Sequence, residues 1–249
     1  MNFKEIENLA KLNKYNFIHL NSTKSTMLEA KKYLDKKNTN CIILSDEQTQ
    51  GRGRRGNIWH SPKGNLYCSI TFKNYLDKKE HFLFTVILAI SIKLALKEFN
   101  AKNIYFKWPN DIFFKNKKFC GIISETHYTD QSNNFIISGI GINIKSSPHI
   151  EKNPTTYVEK FCQINSISDF FKVFLKILFL NLNYLILKKN NYLINQFKNS
   201  LMFLGDEINL KLNNDLIITG TFLDINPDGS LILKNNDKIQ NIYNGSIIL

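Results

Sequence analysis

The sequence predicts an α+β fold: a mixed sheet with flanking helices over residues 1–200, then a small all-β unit over residues 201–249. Three observations predict it. Ahead of residue 200, short β-branched apolar runs alternate with long helical patterns. Beyond it, brief alternating strands are split by Asn-, Asp- and Gly-rich turns. And 249 residues suffice for one large domain with an appendage.

The elements follow in order. "NFIHL" (16–20) reads as a strand. "STMLEAKKYLDKK" (25–37) reads as a helix, with Thr26 and Glu29 at capping-box spacing. "CIILSDE" (41–47) and "LYCSITFK" (66–73) are strands on either side of a glycine-rich loop. "HFLFTVILAISIKLALKEF" (81–99) is apolar nearly all round at first, which marks a core helix. "IYFKW" (104–108), "IFF" (112–114), "FCGIISETHY" (119–128) and "FIISGIGINI" (135–144) are strands. "ISDFFKVFLKILFLNLNYLILKK" (167–189) is helical, and Asn181 is the point where it could break. The all-β unit holds "DEINLKL", "LIITGTFLDI", "GSLILKN" and "KIQNIY", separated by "NND", "NPDGS" and "NND". No repeat of 20–50 residues is visible.

Composition narrows the function. The 33 basic and 21 acidic residues leave a net charge of +12, which attracts nucleic acid, acidic proteins and phosphorylated ligands. The lysines are spread along the chain, so a basic nucleic-acid-binding module is an alternative reading only. Cys41, Cys68, Cys120 and Cys162 form no C-x-x-C pair and adjoin apolar residues, as free thiols in a reducing compartment do. "MNFKEIENLAKLNKY" lacks the apolar core of a secretory signal, and residues 170–189 are interrupted by Lys172, Lys176, Asn181 and Asn183. A cytoplasmic location is expected. The five histidines show no ligand spacing, and "DINPDG" (224–229) lacks the Glu and the flanking helices of a calcium loop.

Gly51, Gly53 and Gly56 in "QGRGRRGNIWHSPKGN" (50–65) spell G-x-G-x-x-G. A dinucleotide turn needs a helix next, but Pro62 and Gly64 forbid one. A kinase loop needs H-R-D and D-F-G motifs, and neither follows. A disordered RGG tail would not carry Ile58 and Trp59 between two strands. What remains is a glycine-permissive loop whose Arg52, Arg54 and Arg55 offer donor forks for carboxylate or phosphate. Such a loop would be mobile when empty and ordered by an anion; a solvated basic hairpin is the other reading.

In "FKWPNDIFFKNKKFCGI" (106–122), Lys107, Asn110 and Asp111 surround a Trp-Pro turn at a strand end, which gathers a cation, an amide and a carboxylate. Lys118 opens the next strand, three residues before Gly121, and nothing intrinsic separates it from Lys117.

Together these pieces resemble the biotin protein ligases: "STM" at a helix start, "EQTQGRGRRGNIW", "KWPNDI", "KKFCGII", "GIGIN" and "GTFLDINPDGSLIL", over residues 15–249. Lipoate ligases share the fold but not the "GRGRRG" and "KWPND" pair, and lipoate or octanoate transfer is the alternative within it. The resemblance implies a class II synthetase-like catalytic fold with a C-terminal SH3-like barrel. It implies an enzyme that joins biotin and ATP into biotinyl-5′-AMP, with Mg²⁺, and passes biotin to a lysine of a biotin carboxyl carrier protein domain.

By motif, the resemblance puts Ser25, Thr26, Met27, Gln48, Gly51, Arg52, Gly53, Arg54, Lys118 and Gly121 at biotin. It puts Arg54, Trp59, Lys107, Asn110 and Asn143 at the nucleotide, and Asp111 at the metal. Lys118 and Arg54 are the expected catalytic cations, and Lys107 and Asp111 would orient the arginine loop, the metal or both. The family usually has S-T-N where this chain has Ser25-Thr26-Met27, so Met27 is a departure. With 24 residues ahead of Ser25, a ligase without the DNA-binding domain that some members carry is expected. Monomer and homodimer both stay open.

Overall fold

The structure, a computed structural model, describes residues 3–73, 80–130, 134–151, 153–187, 189–212, 216–236 and 238–249. The first part contains helices α1 (Lys4–Leu12), α2 (Thr26–Lys37), α3 (Phe82–Glu98), α4 (Ile167–Ile186) and α5 (Asn190–Lys198). Its strands are β1 (Asn16–Leu20), β2 (Cys41–Ser45), β3 (Leu66–Lys73), β4 (Ile104–Lys107), β5 (Asp111–Phe114), β6 (Lys117–Tyr128) and β7 (Asn134–Ile142). They form one mixed sheet in the order β1-β2-β3-β7-β6-β5-β4, with β1 and β2 parallel and every other pair antiparallel.

Strand side chains alternate between faces, and the two faces are covered differently. On β7, Ile136, Ile140 and Ile142 join the large core with α3 and α4. Phe135 and Ile137 point the other way and meet Met27, Ala30 and Leu34 of α2. Continuing along that second face, the next positions are Gly139, Gly141 and then Asn143. The α2 helix thus covers only the bulky end, and the glycines leave a trough beyond it. This is the physical content of "GIGIN": isoleucines to the core, glycines where Met27 and Trp59 lie close over the strand.

The α3 helix buries residues around nearly its whole circumference, because the sheet lies on one side and α4 and α5 on the other. The α4 helix runs through Asn181 unbroken. Asn181 is buried, and its Nδ2 donates to Ser91 Oγ on α3 at 2.9 Å, so the amide is satisfied across the helix pair. The capping box at Thr26 and Glu29 does not form. Ser25 is the N-cap, without a side-chain cap bond, and Glu29 turns to Lys32 Nζ at 2.9 Å. Helices α1 and α5 have no counterpart among the expected elements. The short strand at Ser246–Ile247 also has none; α4 ends three residues before the expected 189, and the remaining elements match within two residues at each end.

The last part is a five-stranded antiparallel sheet of β8 (Glu207–Lys211), β9 (Ile217–Ile225), β10 (Leu231–Asn235), β11 (Lys238–Ile242) and β12 (Ser246–Ile247), in the order β11-β10-β9-β8-β12. The expected turn at 213–215 lies outside the described residues. This sheet is fixed beside the first. Trp108 Nε1 donates to Gly229 O at 2.8 Å, and Lys198 Nζ meets Asp224 Oδ2 at 2.8 Å. Phe106 bonds through its backbone to Ser200 and Met202, each at 2.8 Å. Gly229 has φ +85, and a Cβ there would lie 2.4 Å from the Phe82 ring, so both backbone and space require glycine.

Candidate active site

The glycine trough is the floor of a cleft of about 660 Å³. Of the residues expected at the site, all but Gly51 line it. One end holds Ser25, Thr26, Met27 and Gln48; the other holds Arg54, Lys107, Asn110, Asp111, Lys118 and Asn143.

At the first end the polar groups form a chain. The Thr26 amide and hydroxyl both donate to Gln48 Oε1, at 2.9 and 3.1 Å. Gln48 Nε2 donates to Ser61 Oγ at 3.0 Å, and Ser69 Oγ donates to Thr26 Oγ1 at 2.8 Å. Ser25 is 2% exposed, and among the described residues its hydroxyl has no partner. As a residue of the cleft lining, Ser25 presents a hydroxyl that a ligand could meet.

The second end is cationic. The β4–β5 turn brings Lys107 opposite Asp111 in the ladder. Asp111 Oδ1 lies 2.7 Å from Lys118 Nζ on β6, yet that oxygen accepts no well-directed hydrogen bond, so the contact is an off-line ion pair. The Lys118 backbone is itself pinned, donating to Pro154 O and accepting from Thr156 N–H, both at 2.9 Å. This answers why Lys118 and not Lys117 faces the cleft: Lys117 is exposed on the opposite side of the strand. Lys107 is 6% exposed, and burial lowers its ammonium to about 8, with Asp111 opposing and Lys118 adding to the fall.

The arginine loop is a closed hairpin. Gly53 N–H donates to Asn57 O at 2.7 Å and Trp59 N–H to Gly51 O at 2.9 Å, with Arg55 in the left-handed region at φ +57. Arg54 turns inward, and its Nη1 reaches Asn110 Oδ1 at 3.2 Å and Gly245 O of the C-terminal sheet at 3.5 Å. Burial lowers the Arg54 pKa, and Arg55 adds to that. Arg52 instead pairs with Glu125 at 3.3 Å, beside a 2.7 Å pair between Glu125 and Lys31. Gly51 faces a second hollow behind the loop. A Cβ there would sit 2.4 Å from Trp59 O, so its role in the structure is close backbone approach.

Trp59 lies across the trough. Cβ atoms on Gly141 and Gly121 would fall 2.3 and 3.1 Å from its indole, and Lys118 Nζ is 5.3 Å from the ring centroid. Trp59 Nε1 and Asn143 Oδ1 are buried and, among the described residues, have no hydrogen-bond partner. Asn143 Nδ2 donates to Thr156 O at 3.2 Å, which aims the amide. Two unmet polar atoms in one cleft are ready for a ligand.

Sequence reasoning missed Ser61, Ser69 and the Gly245–Ile247 segment. Ser69 is signalled only by strand alternation from Tyr67. Nothing local signals Gly245, which lies 191 residues from Arg54 in the chain. Among the described residues no group of three or more His, Cys, Asp or Glu could hold a metal.

Residues 17–143 match the model of the Biotin/lipoate A/B protein ligase family, and residues 203–249 match the Biotin protein ligase C terminal domain. The chain belongs to the biotin protein ligase family. This family member is 26% identical over 225 residues to a bifunctional ligase/repressor BirA of Bacillus subtilis, covering 84% of the chain and 66% of that relative. It is 30% identical over 128 residues to a biotin–[acetyl-CoA-carboxylase] ligase of Paracoccus denitrificans, covering 51% and 53%. Its fold aligns with a biotin protein ligase from Aquifex aeolicus in complex with biotin and ATP, at TM-score 0.75 and 26% identity, over 93% of this chain and 97% of that one. The expected α+β fold with an appended β domain is borne out. Among the described residues, no helix is long and apolar enough to cross a membrane.

Proposed function

We propose that this chain activates biotin with ATP as biotinyl-5′-AMP and transfers the biotinyl group to a lysine of a biotin carboxyl carrier protein domain. The observation that carries the reading is the polarity of one cleft. It has neutral hydrogen-bonding groups on Ser25, Thr26 and Gln48 at one end, and three cations on Lys107, Lys118 and Arg54 at the other. A neutral cyclic urea suits the first end, and a carboxylate meeting an α-phosphate suits the second.

In the first step the biotin carboxylate oxygen attacks the α-phosphorus, the bond to the β-phosphate oxygen breaks, and pyrophosphate leaves. Lys118 lies where it can neutralise both reacting anions, and this lowers the barrier to bringing them together. Arg54, tied to Asn110, holds charge on the phosphate, while Trp59 and Asn143 present unmet donor and acceptor atoms to the nucleotide. In the second step the carrier amine attacks the acyl carbon and AMP leaves. Arg52 and Gly53 shape the covering hairpin, and Gly121 keeps the floor low.

Among the described residues Asp111 is the single carboxylate lining the cleft, and Lys118 already occupies it. The donor set fits a magnesium ion carried in on the nucleotide's phosphates and not a resident metal. Bound there, the ion would neutralise phosphate charge.

We divide the chain at residue 200, with the catalytic part before it and the β domain after. The four cysteines are free and buried, which supports a reducing compartment such as the cytoplasm. The test is pyrophosphate release with Mg-ATP, with and without biotin, and with lipoate as control. Release that depends on biotin is expected; release only with lipoate would reassign the substrate.

A further inference from the structure

Met27 and Gly139 form a pair at the neutral end of the cleft. Met27 is the second residue of α2 and is 3% exposed. Gly139 lies on β7, and its ladder partner on β3 is Ser69, whose hydroxyl bonds Thr26. A Cβ built on Gly139 would lie 2.7 Å from Met27 Sδ, 2.9 Å from its Cγ and 3.3 Å from Ile123 Cγ1. Contacts under 3.0 Å at a Cβ do not persist, so the thioether occupies the hollow that glycine leaves.

The two sides of this end therefore differ in kind. Ser25, Thr26 and Gln48 are polar, and hydrogen bonds hold Thr26 and Gln48 to one another. Beside them lies Met27 backed by Ile123, which is apolar. Met27 is the adjustable part: an unbranched, polarizable chain with three rotatable bonds that fits irregular gaps. How deep it sits over Gly139 decides how much room remains for whatever ring the polar side holds.

Resting on the biotin reading above, we propose that Met27, seated over Gly139, is the specificity-determining wall for the ring of a cyclic-urea acid. The hydrogen-bonding side selects the urea, and Met27 selects the non-polar remainder of the ring, including its sulfur. The pair then governs which ring variants are activated, and it acts on substrate binding more than on the chemical step.

The test uses the full chain and biotin-dependent pyrophosphate release, with desthiobiotin, which lacks the ring sulfur, as the comparison acid. Gly139→Ala should push the thioether into the cleft and raise KM for biotin by about tenfold or more, with kcat changed far less, since one methyl in a fitted pocket is worth that much. Met27→Ala/Gly139→Ala should recover most of that loss, because the colliding atoms are gone. Met27→Ala alone should narrow the preference for biotin over desthiobiotin by about tenfold. Loss in kcat alone, or a double variant no better than Gly139→Ala, overturns the proposal. Should Gly139→Ala not fold, the Met27→Ala preference decides: an unchanged ratio overturns it. Failure of the biotin reading appears in the unsubstituted chain; failure of this inference appears in the variants of an active one. A chain inactive with both acids overturns both.

Discussion

Asp111 Oδ1 and Lys118 Nζ are 2.7 Å apart and come from adjacent strands β5 and β6, so the cation at the centre of the cleft is held by a rigid ladder and not by a loop. Lysine is long and mobile, and a pinned lysine loses less freedom when it meets an anion. The pair also stops short of a well-directed hydrogen bond, so Lys118 keeps its donors for substrate.

Lys118→Ala should therefore lower biotin-dependent pyrophosphate release by about 10²–10³-fold, with the thermal transition little changed. Asp111→Asn should leave Lys118 charged but unanchored and cost less, about tenfold. A full-rate Lys118→Ala variant would remove Lys118 from its role.

Arg54 is the strap over the cationic end, and Asn110 is its buckle. Asn110 is itself fixed, its Nδ2 donating to Ile122 O at 2.7 Å. Arg54→Gly should let the adenylate escape, seen as free biotinyl-5′-AMP in solution during turnover without carrier. Asn110→Ala should produce a weaker form of the same leak. Unchanged retention in both variants would count against the strap.

Lys107 should make nucleotide binding depend on pH. Its folded value of about 8 lies below the ordinary lysine value, so the folded state binds fewer protons than the unfolded one between about 8 and about 10.4. Its burial cost is thus present in full below about 8 and is relieved as pH rises through that window. Nucleotide phosphates favour the charged form, so binding near pH 8 should take up protons and affinity should fall as pH rises past 8. Calorimetry in buffers of different ionisation heat measures that uptake. Lys107→Met should abolish it, and should raise Tm at pH 7.

Trp108 ties the two sheets through Gly229. Trp108→Phe keeps most of the packing but leaves a buried carbonyl unbonded, at a cost of about 1–2 kcal/mol. A lowered Tm measured by calorimetry is expected, with the biotin end of the cleft unaffected.

Much of this arrangement was readable from residues alone where local rules decide it. The strands around β3 and β7 follow from β-branched runs, and α3 from its all-round apolar surface. The "KWPND" and "GRGRRG" motifs named the groups at the cationic end. Helix α1 escaped because it buries only Ile6 and Ala10, and α5 because "NNYLINQFK" is rich in poor helix formers and is held by packing of Leu193, Ile194 and Phe197. Asn181 misled because its amide is satisfied by Ser91, a partner 90 residues away. Thr26 misled because Gln48 captured the backbone N–H that a local capping box would have bonded to Glu29. The Arg54–Gly245 contact was invisible for the same reason: tertiary structure makes it, and no local pattern encodes it.

The chain has two tryptophans, and they stand in opposite circumstances. Trp108 is sealed against Gly229, whereas Trp59 lies in the trough with a bare Nε1 beside the Lys118 ammonium. The molecule consequently carries its own pair of optical reporters. Emission from Trp108 should follow the seating of the C-terminal sheet and stay constant as substrates arrive. Emission from Trp59, quenched or shifted by its charged neighbour, should change when a ligand displaces or stacks upon the indole, so that occupancy of the cleft can be watched without a label.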